Sequence, residues 1–252
     1  MQKIRVEREQ VLTDQRDVYQ HWDRLSRRFR HVFECPNSVS GERVFNEMLR
    51  PAIAGKRVLE IGCGSGWFAE RLSSFGAGYV YAVDISRTCI AEAKQREVPG
   101  VCEYAIGDVS LPLSGVFDVI VGRGILHELD FQKVLPCLAR DNLVQNGLMF
   151  FTVPLGGNWF IRAYHQFSKH AHTPHEHPFE RDDLRWIRKT FPGFTLTPIN
   201  FVSLPLAAIS SFVMKRPDNA LLRGADSIDR YLAGHARWLH PYFRCAIFSI
   251  RT

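Results

Sequence analysis

The chain has 252 residues, 46% apolar and 23% charged, a composition that fills a sizeable core and excludes a disordered or fibrous protein. This length fits one large domain better than two full ones. The formal charge of +6, with 25 Arg against 7 Lys, admits an anionic partner such as RNA or a membrane surface, but the basic residues are scattered among 26 acids in the manner of a solvated mixed surface.

Residues 1–30 carry Val11, Val18, Tyr19, Trp22, Leu25 and Phe29 at a three-to-four spacing, which predicts a helix with one apolar stripe and arginines opposite. No apolar run followed by a small-residue cleavage site stands there, so no secretory leader is expected. A second short helix is predicted over residues 41–49, ending before Pro51 because proline disfavours helix at the residue preceding it. From Lys56 onward short β-rich runs (57–62, 79–84, 101–106 and 117–122) alternate with helical patterns (67–75 and 87–96), which predicts a parallel sheet with helices on both faces. A helix over 131–144 follows, with Pro136 in its first turn or kinking it. Asn146-Gly147 then acts as a stop before a strand over 148–153. The His-rich stretch 158–178 reads as loop or irregular helix, 181–190 as a helix, 194–202 as a strand and 218–239 as an inserted helical piece, and a strand closes the chain. The apolar run 201–214 is broken by Pro205 and is too short to span a bilayer. Cysteines at 35, 63, 89, 102, 137 and 245 form no CxxC pair, so neither a zinc cage nor a disulfide framework is expected, and a cytoplasmic location is.

Directly after the first β-run stands Glu60-Ile61-Gly62-Cys63-Gly64-Ser65-Gly66, feeding a helix. Glycines there permit backbone conformations and a close ligand approach that a Cβ would block. A dinucleotide fingerprint has its third glycine one residue later, and a phosphate loop needs Gly-Lys-Ser/Thr; this motif has neither, and carries an acid two residues before its first glycine. Asp84 ends the second strand, where an acid can accept both hydroxyls of a ribose. A third acid, Asp108, follows the third strand.

From about Lys56 to Val153 the sequence resembles the class I S-adenosylmethionine-dependent methyltransferases, in particular the small-molecule branch related to quinone methyltransferases. The resemblance implies an α/β, Rossmann-like, doubly wound and mostly parallel seven-stranded sheet with an N-terminal helical lid and a C-terminal helical insertion. It implies one methyltransferase domain over 1–252, made of a helical cap (1–50), a cofactor-binding core (51–155) and an acceptor-binding, sheet-completing part (156–252). S-adenosylmethionine is then the cofactor and S-adenosylhomocysteine the product, with no metal. The resemblance assigns the cofactor's methionine end and ribose to Glu60, Gly62, Cys63, Gly64 and Asp84, its adenine side to Ile85, Asp108 and Val109, and a covering role on the N-terminal lid to Tyr19; Arg123, where that family usually has a small polar residue, is expected among the cofactor-binding residues as well.

Methyl transfer from sulfur is an in-line displacement that needs alignment, water exclusion and, for a hydroxyl acceptor, removal of a proton. After the fourth strand stands Gly-Arg-Gly-Ile rather than an Asn/Asp-Pro-Pro-Tyr/Phe tetrapeptide, which argues against an exocyclic adenine or glutamine nitrogen as acceptor. His127 lies just beyond and is the first candidate for a general base, since imidazole titrates near neutral pH. His165, His170, His172, His175 and His177 form a cluster whose His-x-His spacing could serve a metal; the favoured reading is a pocket-shaping loop, with His172 or His177 as alternate bases. The expectation is methylation of a small molecule, most readily at oxygen of an aromatic, lipid-like or sugar compound. The partner is thus that acceptor, without nucleic acid or a transmembrane segment, and a homodimer is left open. RNA methylation and a catalytically silent cofactor-binding protein are the competing readings.

Overall fold

The computed structural model describes residues 27–160 and 177–252. In chain order the principal elements are α1 (Arg30–Glu34), α2 (Pro36–Ile53), β1 (Arg57–Ile61), α3 (Trp67–Ser74), β2 (Tyr79–Asp84), α4 (Arg87–Ala93), β3 (Cys102–Ile106), β4 (Phe117–Arg123), α5 (Phe131–Cys137), β5 (Leu143–Pro154), α6 (Arg181–Thr190), β6 (Gly193–Ile199), α7 (Ser203–Val213), α8 (Ala220–His235) and β7 (Cys245–Arg251). The chain divides into two compact units. The stripe expected from Val11 to Leu25 and the histidines at 165, 170, 172 and 175 fall outside the described residues.

The larger unit comprises Arg43–Pro154, Pro178–Thr197 and Cys245–Thr252. Its seven strands lie in the order β3-β2-β1-β4-β5-β7-β6. β1 pairs in parallel with β2 and β4, β2 with β3 and β4 with β5, while β7 runs antiparallel to β5. This is the expected α/β, mostly parallel doubly wound sheet. Val58, Leu59 and Ile61 of β1 are fully buried, as a central strand covered on both faces requires. Because β2 and β4 leave β1 in opposite directions, the chain reverses its winding there and opens a crevice at the carboxyl ends of β1 and β4, where open α/β sheets bind ligands.

Two prolines read as stops behave otherwise. α2 runs from Pro36 to Ile53 instead of 41–49, and Pro51 sits inside its last turn. Only one helical bond is lost there, and Phe45, Leu49 and Ile53 are buried at a four-residue spacing that carries the helix past it. Pro136 lies near the end of α5, beyond the first turn, and the chain then widens into a π-turn at Leu138–Asn142. The helix expected to reach 144 therefore ends early. β5 starts at Leu143, and its register against β4 shifts between the Phe117↔Leu143 and Val119↔Leu148 pairs; Asn146, at φ 61°, and Gly147 bulge out inside the strand rather than preceding it.

The second unit comprises Met1–Glu42, Leu155–His177 and Pro198–Arg244. Its apolar core joins Val32 and Cys35 to Leu204, Ala207, Ala208 and Leu222. The run 201–214 is chiefly the helix α7, with Pro205 in its first turn where a missing N–H costs nothing. A buried polar lattice fixes this unit: the Asp229 carboxylate accepts the backbone N–H groups of Phe201, Val202 and Ser203 at 2.7–3.1 Å, plus the Ser203 hydroxyl. Asn37 donates to Asp226 and accepts from the Asn200 amide. Among the described residues no helix is long and apolar enough to cross a membrane.

Candidate active site

The turn from β1 into α3 is built by glycines for two different reasons. Gly62, Gly64 and Gly66 all adopt positive φ, at 67°, 52° and 86°, which L side chains disfavour. A Cβ on Gly62 would lie 2.6 Å from Ile125 and one on Gly66 2.7 Å from Tyr104, so packing alone demands these two. Among the described residues nothing stands within 4 Å of a Cβ on Gly64. The middle of the loop therefore borders open space.

Two carboxylates meet this loop. Asp84, at the end of β2, accepts the Gly64 N–H through Oδ2 and the Ser86 N–H through Oδ1, both at 2.8 Å. A carboxylate offers about four lone-pair sites, so its capacity is half used. Ser86 in turn caps α4 by accepting from the Cys89 N–H. Glu60, on β1, is 2% exposed, and its Oε2 has no hydrogen-bond partner among the described residues. Burial pushes the Glu60 carboxyl up to about 8; the Arg123 guanidinium pulls it back and the Asp84 charge adds to the rise. The Cys63 thiol is pushed up by its own burial and then by Glu60 and Asp84, which leaves it inert as a nucleophile.

The other expected residues are placed less uniformly. Arg123, ending β4, stacks its guanidinium over Phe68 at 4.7 Å and Phe45 at 5.8 Å. Asp108 lies just past β3, but its Oδ1 is engaged by the Ser110 N–H at 2.9 Å and the Ser110 hydroxyl at 2.6 Å in a local turn. Ile85 is more than half exposed and Val109 half-buried. His127 occupies a short 3₁₀ turn, Leu126–Glu128, after β4; it is nearly buried, with Nε2 3.6 Å from Glu128 Oε1. His177 is exposed and belongs to the second unit, while Tyr19 and His172 lie outside the described residues. The structure thus brings Glu60, the glycine loop, Asp84 and Arg123 together.

Two supports of the loop carry no motif in the sequence. Arg96 donates to the Ser65 carbonyl at 3.3 Å, lies 3.8 Å over the Trp67 ring and stands 3.5 Å from Glu70. The Tyr104 hydroxyl donates to the Gly66 carbonyl at 3.0 Å. Both act across more than thirty residues of chain, and neither residue type nor local spacing announces them.

A family model described as "Methyltransferase domain" matches residues 18–197. The chain belongs to this family. Its α/β, Rossmann-like sheet is the fold shared by the S-adenosylmethionine-dependent methyltransferases compared below. The methyltransferase is 33% identical over 116 residues to a malonyl-acyl-carrier-protein O-methyltransferase of Bacillus anthracis, covering 45% of this chain and 42% of the relative. It is 35% identical over 113 residues to a tRNA U34 carboxymethyltransferase of Pseudomonas syringae pv. tomato, covering 42% and 35%. It thus spans less than half the length of these relatives. In fold it is similar to an S-adenosylmethionine-dependent methyltransferase from Mesorhizobium loti (TM-score 0.55, 18% identity, 88% of this chain and 100% of that one). It is similar also to the magnesium protoporphyrin IX methyltransferase of Synechocystis with bound S-adenosylhomocysteine (TM-score 0.56, 13% identity, 96% and 99%).

Proposed function

We propose that the methyltransferase moves a methyl group to oxygen of a small aromatic, lipid-like or sugar acceptor, with Glu60, the glycine loop and Asp84 as the centre of cofactor binding. The observation that carries the cofactor part of this reading is the buried Glu60 Oε2, without a hydrogen-bond partner among the described residues, on the strand that feeds a glycine loop with open space at Gly64. Burial favours the neutral, protonated form of this acid, and a cation set against it would restore the carboxylate; S-adenosylmethionine has an ammonium and no phosphate. The residues present therefore fit the group. When bound, it supplies a methyl on a positively charged sulfur.

Each residue's part follows from its chemistry. Glu60 takes the ammonium and gains the partner it lacks. Gly62, Cys63 and Gly64 present backbone to the methionine end and ribose. Asp84 uses its two remaining lone-pair sites for the ribose hydroxyls, while its existing bonds to Gly64 and Ser86 hold the loop still. Arg123 matches the amino-acid carboxylate and keeps Glu60 ionisable. Ile85 and Val109 offer apolar surface to the adenine, and Asp108, through the oxygen not engaged by Ser110, accepts its amino group. His127, shielded from water and near Glu128, removes the acceptor's proton.

The O-methyltransferase named among the relatives supports oxygen as the acceptor. A second reading, methylation of RNA, is favoured by the tRNA-acting relative and the basic charge. Incubation with methyl-labelled cofactor and separate pools of organic-soluble metabolites and total RNA distinguishes them. Label in the metabolite pool is expected. Label confined to RNA, with binding that falls steeply as salt is added, would overturn the small-molecule reading.

A further inference from the structure

The second unit carries an exposed surface of unusual composition. α7 contains no charged residue, and Ile209, Phe212 and Val213, at a three-to-four spacing, are 56–67% exposed. A helix apolar on every side is ordinarily covered on every side. Next to it in the unit's core, α8 buries Leu222, Ala225, Asp226 and Asp229 on one face. A different stripe of the same helix, with Leu221, Ile228 and Tyr231, is exposed, and Trp238 just beyond is 70% exposed. Exposed apolar side chains gathered on two packed helices mark a surface for a partner or a membrane.

The charges around it select the partner. Lys215 and Arg216 follow α7 directly, Arg223 and Arg230 lie on α8, and Arg237 precedes Trp238; all are exposed. The stretch 198–244 has only three acids, and of these Asp226 and Asp229 are buried, which leaves Asp218 at the surface. A second copy meeting this face would bring Lys215, Arg216, Arg223, Arg230 and Arg237 against the same basic set, with Asp218 as the surface acid of the stretch, a like-charge arrangement that disfavours self-pairing. Anionic lipid headgroups reverse that sign. Aromatic and aliphatic side chains beside arginines are the composition of surfaces that sink a short way into the headgroup boundary without spanning it.

We infer that the α7–α8 surface docks the enzyme on an anionic lipid bilayer, with Ile209, Phe212, Val213 and Tyr231 entering the interface and Lys215, Arg216 and Arg237 contacting headgroups. This goes beyond the methyl-transfer reading and does not depend on the acceptor's identity. Sedimentation of the full chain with vesicles of phosphatidylcholine alone, or with about one third phosphatidylglycerol, tests it. Wild type is expected to pellet with the anionic vesicles and to be released by salt. The exposed double variant Phe212→Glu/Val213→Glu should lower the partition constant at least about tenfold, with unchanged S-adenosylhomocysteine affinity by calorimetry showing that the cofactor site is intact. Should that variant not fold, Lys215→Glu/Arg216→Glu, in an exposed connection, supplies the decision through weaker anionic-vesicle binding at low salt. Wild type remaining in the supernatant with both vesicles, or both variants pelleting like wild type, overturns the inference. A dimer by light scattering that Phe212→Glu/Val213→Glu converts to monomer, with no vesicle binding, overturns it in favour of a second copy.

Discussion

Replacing Glu60 by Gln should make the empty methyltransferase more stable in mild alkali and a poorer binder of its cofactor. Glu60 is fully enclosed, and its carboxyl is pushed up to about 8 by burial first, with Arg123 opposing and Asp84 adding. Between the ordinary carboxylate range and about 8 the folded protein holds a proton on Glu60 that the unfolded chain has lost. Stability therefore falls as pH rises through this window, by about 1.4 kcal/mol per pH unit while the difference is complete. Across the whole window the loss is on the order of 3–5 kcal/mol, or roughly 10 °C in melting temperature for a protein of this size. Gln cannot ionise, so Glu60→Gln removes the slope: the two proteins should melt together near pH 5 and separate toward pH 8, with the variant higher. Saturating S-adenosylhomocysteine should narrow or invert that separation, because its ammonium pairs with the Glu60 carboxylate and not with an amide. Scanning calorimetry over this pH range, with and without S-adenosylhomocysteine, reads both effects. Parallel melting curves for the two proteins at every pH would refute the buried-charge reasoning, and equal stabilisation by S-adenosylhomocysteine would refute the role given to Glu60.

The glycine loop supplies a paired test. Gly64→Ala should cost only about 1 kcal/mol of stability, for its left-handed backbone, yet abolish cofactor binding by calorimetry, whereas Gly62→Ala also meets Ile125 and should melt markedly lower. Asp84→Ala leaves the Gly64 and Ser86 N–H groups without their acceptor and should weaken S-adenosylhomocysteine by at least about 100-fold, at about 1.5–3 kcal/mol for each of two bonds to a charged group; unchanged affinity would remove it from the ribose site. His127→Ala should lower turnover by at least about 100-fold while moving cofactor affinity little, and equal turnover in mutant and wild type would exclude it as the base. Asp229→Asn, which leaves the four donors around this buried group with a single neutral oxygen to share, should destabilise by about 3 kcal/mol in chemical denaturation, and a loss below about 1 kcal/mol would mean that α7 is held by its apolar packing instead.

What could be read from the sequence and what could not divides along chain distance. The proposed cofactor side lies in successive strand-to-helix turns, each a few residues long, so Glu60, Gly62, Gly64 and Asp84 could be picked out by position relative to a β-run. Within the same unit Pro51 and Pro136 misled because a proline's cost depends on which helical bond it removes, and burial of Phe45, Leu49 and Ile53 decided the first case. α7 escaped recognition as a helix because Ser203–Val213 lacks the polar face that gives a helix its period; what marks its start is Asp229, 26 residues downstream of Ser203. The same holds throughout the second unit: Asn37 binds Asp226, and Asn200, at φ 61°, is held by Asn37, Ser38 and Arg244. No local pattern encodes contacts that span 44 to 189 residues. A cofactor common to many enzymes can be held by short turns that tolerate little change. The second unit is instead fastened by a distributed polar lattice, so its surface can be altered without disturbing the cofactor turns, and any preference for an acceptor or a membrane has to be read from the folded chain.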